Sequence, residues 1–337
     1  MISLWPTIAL LLGSAIVIYL ACEFFVNGVE WVGRKLAVGQ KATGTVLAAF
    51  GTALPESVVT LVAVAFGATA ASKELGVGAA LGGPLALSTI AYATVGIVLL
   101  LTGRQLIRTP ELRADFRRLS RDQGWFLLIF AAKIGLGVLI FAGKPWLGIL
   151  FLAAYALYVR QEMKSGADEE EEGELEPLKL QPRAETPGTA IALAQTLLAL
   201  VVIFLASRVF VSQLEHLGPA LGLKPQLLAL LLSPIATELP ETMNAIIWVR
   251  QGKHRLALAN ISGAMMIQAT VPTSLGLFFT PWLLDRSLLL AAGITAMAVL
   301  TMFVAFRRGM IARAHLAAMG LLYVLFAVLL VALHLGR

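Results

Sequence analysis

Gly51-Thr52-Ala53-Leu54-Pro55-Glu56 and Ala236-Thr237-Glu238-Leu239-Pro240-Glu241 are the stretches that decide how this chain is read. Each sets a glutamate beside a proline inside a long apolar run. An ionisable side chain at membrane depth is costly and marks a functional position by default. Sliding the sequence by 185 residues lays Glu56 on Glu241, Pro55 on Pro240, Leu54 on Leu239 and Thr52 on Thr237. The same shift carries Phe25, Glu30, Gly33 and Leu36 onto Phe210, Glu215, Gly218 and Leu221 without a gap. The chain therefore reads as an internal duplication.

The composition says where such a duplication can fold. Of 337 residues 58% are hydrophobic and 14% charged, with a mean hydropathy of +0.84, too apolar for a soluble globular protein. Apolar segments long enough to cross a bilayer core run over 3–33, 42–70, 75–102, 124–142, 144–160, 188–214, 225–249, 254–279, 284–305 and 313–334. The expected fold is an all-α membrane protein of about ten transmembrane helices. The first segment is expected to be a retained span and not a cleaved signal, since it continues past Glu23 without a clear cleavage site. The single cysteine, Cys22, excludes an internal disulfide framework.

Net charge +6 does not point to nucleic acid, because the basic residues sit in the connections and act as topology signals. With the N-terminus outside, 19 of the 26 Lys and Arg fall in inward loops and five in outward ones, leaving Lys133 and Arg208 within spans. Both termini are expected outside a cell (inner or plasma) membrane. Residues 161–187 interrupt the apolar pattern with an acidic block, Asp168 to Glu176, followed by three prolines. Such a run cannot bury a core and reads as a disordered cytoplasmic linker, with a regulatory cation-binding tail as the alternative. It separates residues 1–160, a first five-helix repeat, from 188–337, a second. An odd number of spans per half inverts the second copy, the arrangement that places a binding site at the midplane of many transporters.

The paired stretches carry oxygen chemistry. Proline removes an N–H and its ring crowds the preceding turn, so Pro55 and Pro240 are expected to break helical bonding and free carbonyls. Irregular backbone at membrane depth is tolerated where it lines a cavity. Carbonyls and carboxylates together suit a hard cation. Thr52 and Thr237 precede the glutamates by one turn and share their face. Glu238 reads equally well as a third ligand or proton carrier and as a vestibule residue. In the eighth segment Asn260 and Gln268 add polar side chains, whereas Gly78-Ala79-Ala80-Leu81-Gly82-Gly83-Pro84 in the third offers no carboxylate or amide. The blander alternative is that Glu56 and Glu241 are structural carboxylates. Arg208 is expected to pair with Glu23 or Glu215, and Lys133 to snorkel or pair without a function.

On these residues the chain resembles the calcium/cation antiporter superfamily, the group that contains the sodium/calcium exchangers. That group carries Gly-Thr-Ser-Leu-Pro-Glu in both repeats, followed by a Gly-Asn-x-x-Gly-Ser-Asn-like segment and a distal Asn or Asp. The resemblance implies coordinating roles for Glu56, Glu241, Thr52 and Thr237, and puts the distal positions at Gly83 and Gln268. The chain departs from the pattern at Ala53 and Glu238, at Gly78-Ala79-Ala80 and Gly263-Ala264-Met265, and at Gly83. The expected function is secondary antiport of calcium or another divalent cation against protons or sodium, through metal ligands Thr52, Glu56, Thr237, Glu238, Glu241 and Gln268. The lost hydroxyls and amide, with the added Glu238, favour protons. The alternative is a non-transporting membrane scaffold or sensor that keeps the fold. Lipid and transported cations are the expected partners, with no cofactor and no nucleic acid. Enzymatic chemistry is not expected, since no His-Glu-x-x-His or nucleophile arrangement occurs.

Overall fold

The computed structural model describes residues 4–35, 48–103, 110–165, 175–252, 254–309 and 311–333. Every regular element among them is helical. In chain order these are α1 (Trp5–Lys35), α2 (Ala48–Leu61, closing in a π turn over Val62–Phe66), α3 (Ala70–Leu101, with a π turn at Leu87–Ala91) and α4 (Pro110–Val138). A 3-10 turn, Lys144–Leu147, leads to α5 (Gly148–Ser165), and then follow α6 (Thr189–Leu221), α7 (Pro225–Thr237), α8 (Leu239–Arg250), α9 (His254–Phe279), α10 (Arg286–Arg307) and α11 (Arg313–Ala332).

Among the described residues six helices, α1, α3, α6, α9, α10 and α11, are long and apolar enough to cross a membrane. The remaining segments differ from simple spans for visible reasons. α2 is a short apolar helix. The seventh segment, expected as one rod, is split at Glu238 into α7 and α8. α4 begins at Pro110, well before the expected 124, because proline is pre-set for the first helical turn and the arginine-bearing stretch simply continues the helix.

Burial sorts the helices into an inner and an outer set. α3 and α9 are 72% and 78% buried over their most apolar windows, against 33% for α1, 28% for α6 and 22% for α11. α1 lies along α6, α3 along α7, and α9 against α2, α4 and α5. Leu12, Ile16 and Leu20 of α1, Leu197, Val201 and Leu205 of α6, and Leu321, Val324 and Val328 of α11 are exposed. Apolar stripes of that extent on adjacent helices fit hydrocarbon and not water.

Small residues set the spacing of the inner helices. A Cβ on Gly78 would lie 2.0 Å from the Gln226 carbonyl oxygen of α7, and one on Gly82 2.7 Å from that of Leu230. At the other end of α3, a Cβ on Gly96 would meet the Ala317 nitrogen of α11 at 2.1 Å. Without a hydrophobic drive between helices in lipid, backbone approach of this kind provides the packing attraction.

The acidic linker is not wholly the free spacer expected. Residues 166–174 lie outside the described residues, but 175–187 are tied to the helices. Leu178 is fully buried with Trp31 and Ala192. Trp31 Nε1 donates to the Glu176 carbonyl at 2.9 Å, Asn27 Oδ1 accepts from the Lys179 amide at 3.0 Å, and Gln195 Oε1 accepts from the Leu180 amide at 2.8 Å. Gln195 Nε2 also donates to Asn27 Oδ1 at 3.0 Å, so the strap is laced across α1 and α6. Charge content predicted disorder, but leucines between the charges and amides on both helices provide the enthalpy that opposes it.

Replacing Gly78 by Ala should push α3 from α7 and cost at least about 2 kcal/mol. A clear fall in the detergent melting temperature is expected, whereas Gly293→Ala, with nothing within 4 Å of the added Cβ, should cause none.

Candidate cation site

The two copies of the repeated stretch fold differently. α2 runs through Pro55 and yields only at the π turn Val62–Phe66. In the second copy the helix stops at Thr237, Glu238 takes φ −99° and ψ 0°, and α8 restarts at Leu239 with Pro240 in its first turn. The expected interruption thus holds at Pro240 and not at Pro55. The second copy carries Pro234 as well, so two prolines weaken one segment where the first copy has one.

Across this break runs a fully buried polar chain. Thr237 Oγ1 lies 2.8 Å from Glu56 Oε2, 3.0 Å from Glu238 Oε1 and 3.1 Å from the Ser233 carbonyl. Gln268 Nε2 donates to both Glu238 oxygens at 2.7 Å. α2, α7 and α9 therefore meet through Glu56, Thr237, Glu238 and Gln268, all within 3% of complete burial. A hydroxyl holds one proton and can serve one carboxyl oxygen, so the other needs a proton or a cation of its own. The two carboxyls also act on each other as like charges. Glu56 Oε1 and Gln268 Oε1 make no hydrogen bond, which leaves two buried oxygens with capacity to spare.

Glu238 is therefore inside the site and not in a vestibule. Glu241, the repeat partner of Glu56, is fully buried in the first turn of α8. The positive end of that helix favours a carboxylate there. The Glu241 charge acts on Cys22 of α1. Thr52 lies on α2, and its side chain falls outside the described residues. Asn260 is buried but makes no hydrogen bond to the carboxylates. Among the described residues no group of three His, Cys, Asp or Glu side chains converges on one point. A cation here would draw on carboxylate, amide, hydroxyl and carbonyl oxygens together.

Two charged residues depart from expectation. Arg208 is exposed on α6 and reaches neither proposed partner: Glu23 pairs with Lys179 at 3.0 Å, while Glu215 accepts from Thr69 at 2.6 Å and from Ser72. Arg208 is therefore not placed to neutralise the buried carboxyls. Lys133 does not snorkel; it is fully buried on α4, and its charge acts on Glu56. Gln123 of α4 was missed altogether. It donates to Tyr92 Oη at 2.9 Å and to Ser262 Oγ at 3.3 Å, a buried polar link from α4 to α3 and α9 whose signal was a glutamine at the edge of an apolar segment.

With this geometry in hand, the chain can be set beside known proteins. The model of the family described as sodium/calcium exchanger protein matches residues 6–161 and 191–332. The chain belongs to the sodium/calcium exchanger protein family. It is 26% identical over 286 residues to the Escherichia coli K12 inner membrane protein YrbG, covering 84% of this chain and 82% of that one. Its fold is similar to that of the crystallised H+/Ca2+ exchanger CAX, with a TM-score of 0.73 at 17% identity, over 96% of this chain and 82% of that one. It is also similar to the sodium-calcium exchanger NCX_Mj, with a TM-score of 0.61 at 18% identity, over 96% and 98%.

In this exchanger-family chain the unequal distal positions turn out to be one contact. Gly83 and Gln268 each follow their glutamate by 27 residues. A Cβ on Gly83 would lie 2.7 Å from Gln268 Oε1 and 2.9 Å from its Cδ. The missing side chain of the first copy is thus the space that the amide of the second occupies. Two amides would not fit without one withdrawing from Glu238.

Thr237→Val removes the hydroxyl between two carboxyls and should cost about 1–3 kcal/mol. The expected readout is a lower melting temperature in detergent that serine, unlike valine, restores.

Proposed function

We propose that the protein is a cation antiporter that moves calcium, or another divalent cation, against protons across a cell membrane. One observation carries this reading: the buried chain Glu56–Thr237–Glu238–Gln268 gathers two carboxyls and an amide around a single hydroxyl proton. Two carboxylates brought together out of water repel strongly unless neutralised. Either protons or a divalent cation can do so, and both at once are superfluous. Competition between those two loads for one pair of carboxyls is what an exchanger requires.

Thr52, Glu56, Thr237, Glu238, Glu241 and Gln268 are the ligands in this reading. Glu56 and Glu238 contribute charge, Thr237 and Gln268 orient them, and Glu241 and Thr52 are the remaining ligands. Pro55 and Pro272 remove the N–H groups that would otherwise engage the Gly51 and Gln268 carbonyls, leaving backbone oxygens for a hard cation. Two inverted five-helix halves, residues 1–160 and 188–337, would present this site alternately to each face, with both termini outside and the acidic linker on the cytoplasmic side. Sodium remains the competing counter-ion. Protons are preferred because Ala53, Gly78-Ala79-Ala80 and Gly83 withhold the oxygens a separate sodium position needs, while Glu238 adds a proton acceptor.

Reconstituted vesicles should take up calcium when a pH gradient is imposed without sodium, and Glu56→Gln should reduce the rate at least about a hundredfold. Uptake that strictly needs sodium would overturn proton coupling. Absence of flux for calcium, manganese and magnesium alike would overturn antiport of a divalent cation.

A further inference from the structure

Lys133 is a fully buried lysine on α4 in a place that gives it no route to water. Its Nζ donates to the Ala80 carbonyl of α3 at 2.8 Å. That carbonyl is available for a local reason. In an α-helix it would accept from the N–H four residues on, and that residue is Pro84, which has none. The ammonium therefore occupies an oxygen that a proline has released one turn before Gly83.

The surroundings are those of a cation site. Nζ lies 5.6 Å from the Phe130 ring centroid and 5.9 Å from that of Trp282, within cation–π range of both. Trp282 is held there at a cost. Its φ of 49° is a left-handed conformation that a bulky residue rarely adopts. The indole is clamped against Gly276, where a Cβ would fall 2.2 Å from the ring, and its Nε1 donates to the Lys133 carbonyl at 3.1 Å. Glu56 supplies a negative field at longer range, without an ion-pair contact.

We propose that Lys133 is a tethered cation, standing where an exchanger of this fold could otherwise hold a mobile monovalent ion. One released carbonyl, two aromatic faces and a carboxylate field are what such an ion would use, and the side chain of Lys133 takes them. In its protonated form Lys133 offsets part of the charge of the Glu56–Glu238 pair, so that loading and unloading of the remaining carboxyl charge needs no sodium. This inference rests on the antiporter reading above and gives a structural cause for sodium independence. Lys133 acts here through the charge it adds to the chamber, not as a ligand of the transported ion.

The test is to remove the charge and ask whether sodium replaces it. The full chain, Lys133→Met and Lys133→Arg are purified in detergent and melted with and without sodium chloride, choline chloride holding the ionic strength. Sodium should raise the melting temperature of Lys133→Met by about 3 °C or more and leave the parent chain and Lys133→Arg unmoved. In vesicles, calcium flux through Lys133→Met should fall at least about tenfold without sodium and recover when sodium is added. Equal response of the parent and Lys133→Met to sodium overturns the proposal. Failure to recover Lys133→Met even in sodium-containing buffer also overturns it, because a mobile ion should then refill the place. A parent chain that moves no cation would remove the antiporter reading while leaving the melting comparison to decide the role of Lys133.

Discussion

Two carboxyl groups sharing one threonine hydroxyl, away from water, set the terms for everything around them. Thr237 Oγ1 touches Glu56 and Glu238 at 2.8 and 3.0 Å, and it has a single proton to give. In water the arrangement would be trivial, since solvent would satisfy the remaining lone pairs. In a membrane interior each charge and each unsatisfied oxygen costs several kcal/mol on the order-of-magnitude scale. The surrounding helices are therefore selected for what they bring to this point: the Gln268 amide from α9, the broken backbone between α7 and α8, and the Lys133 ammonium held on α3 by α4.

The asymmetry of the two repeats follows from that constraint. Where equivalent residues of the two copies meet, the space between them admits one large polar group. Gln268 and Gly83 show this directly, since the amide of one lies where the side chain of the other would be.

The peripheral pair α1 and α6 obeys a different rule. Both are largely exposed to the hydrocarbon, packed along each other, and bound on one face by the strap that buries Leu178. Asn27, Trp31 and Gln195 on this pair bind the linker backbone, while Glu215 of α6 accepts from Thr69 and Ser72. The end of the linker thus belongs to the α1/α6 pair, while the inner helices hold the site.

Residue chemistry by itself determined the class and singled out the polar groups that meet at the centre. Hydropathy follows from composition, repeats from identity at a fixed offset, and a carboxylate at membrane depth stands out because its cost is the same in any fold. Glu56, Thr237, Glu238 and Gln268 were legible on those grounds. Which of them touch was not, because the offset of 185 residues pairs equivalents without saying whether they meet, as Gly83 and Gln268 do, and says nothing of the crossed contact of Glu56 with Thr237. The partner assigned to Arg208 and the freedom of residues 175–187 were each wrong for one reason, and the snorkelling left open for Lys133 fails on the same ground. Each depends on what lies beside a residue in space, and only the tertiary structure decides whether a long charged side chain reaches lipid, a backbone carbonyl or another charge.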